Sequence, residues 1–156
     1  MSITRVVLML LVVGMLVGLG VPALAAGQDE SQLWSGKAGI LVPISGGHSA
    51  GIALGIERQL TNSAESRSAI ELDYAHPSDV NDWYLLYNTR YHVNSGGYWG
   101  WGAGLNAMDV HGSTTTNLAY RLFYGQRWSR AFGEVGWLSG FRNGNSGVLL
   151  TIGTSF

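Results

Sequence analysis

From residue 36 to the C-terminus, large apolar side chains recur at alternate positions of successive segments, and many of the positions between them carry glycine, alanine or a charge. One row collects Ile40, Val42, Ile44; Ile52, Leu54, Ile56; Ile70, Leu72, Tyr74; and Trp83, Leu85, Tyr87, Tyr91. It continues through Trp99, Trp101, Ala103, Leu105; Leu118, Tyr120, Leu122, Tyr124; Val135, Trp137, Phe141; and Val148, Leu150, Ile152, Phe156, with no charge interrupting it. The other row carries Lys37, Glu57, Glu71, Asp73, Arg90, Arg121, Arg127 and Glu134, separated by small residues such as Gly39, Gly55, Gly102 and Gly136. A period of two predicts β-strands whose two faces meet different surroundings. No stretch in this part of the chain keeps the 3.6-residue apolar spacing of an amphipathic helix beyond one turn.

Turn-forming clusters divide the pattern into eight segments: 36–45, 49–61, 67–76, 82–93, 97–109, 116–128, 131–142 and 146–156. Asn, Asp, Ser and Gly dominate the breaks, because each reaches positive φ or bonds its own backbone. Short connections make neighbouring strands antiparallel, as a meander. A soluble sandwich also alternates, but its solvent face favours Lys, Thr and Glu over Gly, which loses entropy in an exposed strand and packs nothing. Inside a narrow closed barrel the same Gly leaves room for a long side chain crossing the lumen. The apolar row then fits lipid, and a sheet in lipid must close to satisfy its edges. Segments of this length, tilted, match the apolar band of an outer membrane. The expected fold is all-β: a closed antiparallel up-and-down transmembrane β-barrel of eight strands.

Composition agrees, with 46% hydrophobic residues and only 12% charged, about half the usual charged share. A formal charge of −1 excludes nucleic-acid binding through a basic surface. The absence of Cys excludes a disulfide framework and a thiolate zinc site. Four scattered His residues without ligand spacing point to no metal, and no cofactor is implied.

Residues 1–25 read as a cleavable signal peptide. Arg5 precedes an apolar run from Val6 to Val21, Pro22 follows, and Ala23-Leu24-Ala25 places small residues before the cut. The expected organisation is a signal peptide at 1–25, a short periplasmic tail at 26–35 and an outer-membrane barrel domain at 36–156. With the N-terminus in the periplasm, Trp34, Tyr91, Trp99, Trp101, Trp128 and Phe156 fall at periplasmic strand ends. Tyr74, Trp83 and Phe141 fall near the outer ends. Rings with a polar tip suit both membrane–water interfaces.

The final segment, ValLeuLeuThrIleGlyThrSerPhe (148–156), ends on an aromatic preceded by alternating apolar residues, with Val148, Leu150, Ile152 and Phe156 as a candidate assembly signal. It is similar to the C-terminal strand that the barrel-assembly machinery reads in bacterial outer-membrane proteins. With the signal peptide and the TyrTrpGlyTrpGlyAlaGly run (98–104), the chain resembles the small eight-stranded outer-membrane barrels. These include the OmpA membrane domain and OmpX-type proteins. The resemblance implies an integral outer-membrane protein, with envelope lipid and the assembly machinery as partners and other protein partners unassigned. It implies no single activity, because such scaffolds host many.

A barrel of this size holds side chains rather than an aqueous channel. The expected lumen network joins Lys37, Arg90, Arg121 and Arg127 to Glu57, Glu71, Asp73 and Glu134, each charge neutralised by another. Lipid A 3-O-deacylases resemble this chain in size and use a His-x-Ser pair. His111-Gly112-Ser113 has that spacing and the parity of Trp99 and Leu105, so both side chains would face lipid. Thr114 stands where that family has Asn, and the pair lies at a loop tip. The expected function is therefore non-enzymatic, structural or interaction-related in the cell envelope, with a closed polar lumen. Its alternatives are a lipid A-modifying enzyme using His111 and Ser113, and a secreted soluble β-barrel binding an apolar ligand.

Overall fold

The computed structural model describes residues 34–45, 48–63, 65–78, 80–93, 96–140 and 146–156. Eight strands follow one another: β1 (Trp34–Pro43), β2 (Gly51–Asn62), β3 (Ser66–His76), β4 (Val80–His92), β5 (Gly97–Val110), β6 (Ser113–Trp128), β7 (Ala131–Gly140) and β8 (Ser146–Ser155). Each pairs antiparallel with the next, and β8 returns to β1 to close the barrel. Every expected strand is present. The signal peptide at 1–25, most of the tail at 26–35 and Phe141 lie outside the described residues.

Two strand ends differ instructively from the sequence reading. β1 begins at Trp34 rather than 36, because Trp34 and Phe156 exchange backbone hydrogen bonds of 3.3 and 2.9 Å. The barrel seam therefore takes in two residues assigned to the tail. β6 begins at Ser113 rather than 116, because only His111 and Gly112 separate it from β5. Both have positive φ, 50° and 84°, as a two-residue type I′ hairpin requires. Asp109 accepts the Gly112 amide at 3.0 Å and the Thr114 hydroxyl at 3.1 Å, bracing the turn.

The facing follows the alternation. Leu54, Leu105, Leu118, Leu122 and Ile152 point outward and are 48–73% exposed, while Lys37, Glu57, Glu71, Asp73, Arg90, Arg121 and Glu134 are buried inside. Outward apolar side chains without a protein partner are the reverse of a soluble core, and they form the apolar band that hydrocarbon would cover.

The lumen is less uniformly polar than the sequence suggested. Toward the end away from the chain termini, hereafter the distal end, Leu41, Tyr84, Leu86, Leu138 and Leu149 pack with Ala53, Ala75 and Ala119 into an apolar cluster. The ionic residues form a middle layer. Toward the terminal end, Tyr98, Phe123 and Phe132 are buried. On every strand that carries an inward charge, these residues share its parity. Alternation fixes which side a residue faces, but strand tilt and stagger fix the level it reaches, so the layering was not legible in one dimension.

An Arg at Leu122 or Leu105 should cost about 2–4 kcal/mol of barrel stability near mid-bilayer, measured by reversible urea unfolding in vesicles. Single cysteines at 54, 105 and 122 should react with a lipid-confined maleimide, and cysteines at Ala53 and Ala119 should not. Labelling at 53 and 119 instead would mean that the faces are inverted.

Candidate functional site

The middle layer of the lumen is the largest concentration of chemistry among the described residues. Glu57 on β2 stands directly opposite Glu71 on β3, a pairing of like charges that destabilises a sheet unless cations intervene. They do. Arg90 of β4 forks onto Glu57, with Nη1 donating to Oε1 at 2.6 Å and Nη2 to the second oxygen. Arg121 of β6 donates from Nη1 to Glu71 and from Nη2 to Glu134 of β7, each at 2.5 Å. Lys37 of β1 bonds Glu71 and reaches Asp73 at 3.1 Å. Arg90 also contacts Glu134 at 3.2 Å, so the groups form one network around the barrel.

Neutral groups complete it. Asn88 donates to Glu71 at 2.8 Å and Tyr98 to Glu134 at 3.0 Å. The Arg121 guanidinium lies 4.5 Å from the centre of the Phe123 ring, a cation–π arrangement that substitutes for lost hydration. Gly55 is dictated by close approach: a Cβ there would overlap the Asp73 carboxylate and the Lys37 side chain. Sequence reasoning missed Asn88 and Tyr98. Their signal was available, since Asn88 has the parity of Arg90 on β4 and Tyr98 that of the inward glycines Gly100, Gly102 and Gly104 on β5.

Arg127 stands apart from the network into which the sequence placed it. Its Nη1 donates to Ser155 at 2.7 Å and its guanidinium lies 5.2 Å from the Phe132 ring centre. Arg127 is six residues beyond Arg121 on the same strand, nearer the terminal end and out of reach of the middle layer. The joined groups are thus Lys37, Arg90 and Arg121 with Glu57, Glu71, Asp73 and Glu134.

His111 and Ser113 do not share a face. Ser113 opposes Val110 across the hairpin, and the two-residue turn reverses the chain, so odd positions face outward on β5 and inward on β6. Among the described residues no hydrogen bond joins His111 to Ser113, and both are exposed at the turn. Nor do three His, Cys, Asp or Glu side chains group in metal-binding geometry among the described residues.

The outward aromatics pair near the strand ends. At the terminal end Tyr91 stacks on Trp99 with centroids 4.7 Å apart, and Arg58 lies 5.6 Å from the Trp34 ring centre. Trp128 and Phe156 are 61% and 59% exposed there, and Trp101 follows Trp99 one outward position along β5. At the distal end Tyr74 packs on Trp83 at 4.8 Å and donates its hydroxyl to Asn81 at 2.7 Å. Val148, Leu150 and Ile152 form the outward row of β8, which pairs with β7 on one side and β1 on the other.

Removing one member of the network should be costly, because it leaves a dehydrated charge unpaired. Arg121→Met is expected to lose about 3–5 kcal/mol in urea unfolding. Arg127→Met should lose about 1 kcal/mol, as for a single hydrogen bond. Equal losses would show that Arg121 is not the hub of the lumen.

No protein-family model matches the chain, and no curated protein matches it by sequence. Solved structures do match. A de novo designed transmembrane β-barrel superposes with a TM-score of 0.58 at 12% identity, covering 83% of this chain and 98% of the design. The outer-membrane protein Ail of Yersinia pestis, in a phospholipid nanodisc, gives 0.58 at 10% identity, covering 80% and 99%. The N-terminal β-barrel domain of Pseudomonas aeruginosa OprF gives 0.52 at 13% identity, covering 80% and 98%. With its order of eight strands, closed seam and outward apolar band, the chain has the fold of the small eight-stranded outer-membrane β-barrels.

Proposed function

We propose that this chain is a non-enzymatic, integral outer-membrane barrel whose role is structural or interaction-related, with a lumen sealed to solutes. The observation that carries this reading is the contrast between its two faces. The exterior is an apolar band ringed by aromatics, and the interior is layered with leucines, an ion-pair network and aromatic rings. Three cations shared among four carboxylates serve to hold the strands in register at a depth where water cannot satisfy them. A sealed interior of this kind spans a bilayer without conducting. The structural neighbours support placement in an outer membrane.

On this reading residues 1–25 direct export and are removed, and the terminal end of the barrel faces the periplasm. The outward row Val148, Leu150, Ile152 and Phe156 is what the barrel-assembly machinery engages before β8 pairs with β1, and outer-membrane lipid is the constant partner. The His111–Gly112 turn is explained by its backbone conformation and its Asp109 brace, which supports a structural part for these residues over a nucleophilic one.

The protein should fractionate with outer membranes and, unboiled, migrate as a compact SDS-resistant species; recovery as a soluble periplasmic protein would refute the proposal. Reconstituted in planar bilayers it should show no stepwise ion conductance. Lipid A from expressing cells should have the same mass with the wild-type chain and with His111→Ala. Loss of an acyl chain with wild type alone would establish the enzymatic alternative.

A further inference from the structure

The stagger of the barrel gathers cations at its terminal end. Traced across β4 to β8, β1 and β2, the strand register leaves β3 at Ser66 and returns to it at His76, ten residues nearer the distal end. A line of constant height therefore shifts about four residues toward the terminal end over three strands. From Arg67 on β3 the register leads through Arg90 and Gly100 to Phe123 on β6, and four residues farther toward the terminal end stands Arg127. On β4, between them, the same height falls at His92. All three have inward parity: Arg67 that of Glu71, His92 that of Arg90, and Arg127 that of Arg121.

The electrostatics agree with that ring. Arg67 is repelled by Arg127 and Arg90, and a protonated His92 is repelled by all three. Two hydroxyls complete the level: Arg127 Nη1 donates to Ser155 at 2.7 Å, and the Ser155 hydroxyl lies 3.0 Å from that of Ser35. Among the described residues no inward strand position at this height carries a carboxylate. Glu57, one layer deeper, attracts Arg67 but has both oxygens bonded by the Arg90 fork, and Glu65 is exposed on the turn before β3. Arg90 stands directly opposite Arg67, a pairing of like charges that destabilises a sheet unless an anion joins them. Arg67 and Arg127 are half-buried and His92 is exposed, so a solute arriving from the terminal side reaches all three.

We propose that Arg67, His92 and Arg127 form a binding site for a single phosphate group in the terminal mouth of the barrel. A guanidinium presents paired planar donors that match the oxygens of a phosphate. Two guanidiniums balance a doubly charged phosphate, and His92 and the serine hydroxyls add donors to its remaining oxygens. A lumen of eight strands admits one small ligand rather than a chain of them. The ion network beneath closes the floor, so the anion enters and leaves by the terminal mouth alone. The phosphate is either free in solution or carried on a lipid headgroup. The site depends on the barrel fold and not on the envelope role proposed above.

The test uses the full-length mature barrel refolded in maltoside micelles, with inorganic phosphate titrated by calorimetry in a phosphate-free buffer. Wild type should bind saturably. Arg67→Gln and Arg127→Gln should each weaken binding about tenfold or more, because each removes a charged donor pair. Arg127→Lys, which keeps the charge but loses the fork, should also weaken it and guards against a misfolded Gln variant. Arg58→Gln, on the outward face beside Trp34 at the same end, should leave binding unchanged. Thermal melting is a second readout: phosphate should raise the melting temperature of wild type and Arg58→Gln but not of Arg67→Gln or Arg127→Gln. Equal affinity in micelles and in phosphatidylglycerol vesicles would assign free phosphate as the ligand, and affinity lost only in the vesicles would assign the lipid headgroup. Absence of saturable binding in micelles, or equal binding by wild type and both Gln variants, would overturn the proposal. So would binding gained only when Asp29 and Glu30, which precede β1, are replaced by Asn and Gln, since the chain's own carboxylates would then fill the ring. Because the micelle measurements concern neither localisation nor conductance, their failure is distinguishable from failure of the envelope role.

Discussion

The closure of β8 onto β1 is the constraint on which the rest of this molecule depends. In hydrocarbon an unpaired amide or carbonyl costs several kcal/mol, and an open sheet edge would expose a row of them. Here the seam runs from Pro43 opposite Gly147 to Ser35 opposite Ser155 and ends in the reciprocal bonds between Trp34 and Phe156. The last residue of the chain is thereby paired with the first residue of the barrel. Closing the ring removes both edges at once, and it also encloses every inward side chain, which must then be satisfied without help from water.

The ion network follows from that enclosure. Eight strands leave room only for side chains, and inward charges on six different strands can be neutralised only by one another. Glu71 receives Lys37, Arg121 and Asn88, while Glu134 receives Arg90, Arg121 and Tyr98. Such clusters are weak evidence of net stability, since well-packed apolar groups of the same volume often serve as well. What they do supply is register. A strand slipped by one residue would turn its charges into lipid and its apolar row into the lumen. The leucine cluster beyond the network lacks that directional demand and fills space instead.

Asp82 shows the other outcome of enclosure. Nearer the distal end of β4 than Arg90, its carboxylate takes two long hydrogen bonds, from the Tyr84 hydroxyl and the Asn106 amide at 3.4 Å each.

The strand count and the facing of nearly every strand residue were determined by the sequence alone, because a two-residue period is a local property of the chain. Lys37, Glu57, Glu71, Asp73, Arg90, Arg121 and Glu134 were recognisable as one interior set for the same reason. Their partners were not. That Arg121 bridges Glu71 and Glu134 while Arg127, on the same strand and face, instead bonds Ser155 depends on the height at which each strand crosses the barrel. The separation of His111 from Ser113 likewise depends on a turn of two residues where a longer one was read. Height and stagger are set by the pairing of strands far apart in sequence, above all by the β1–β8 seam, and so only the closed tertiary structure decided them.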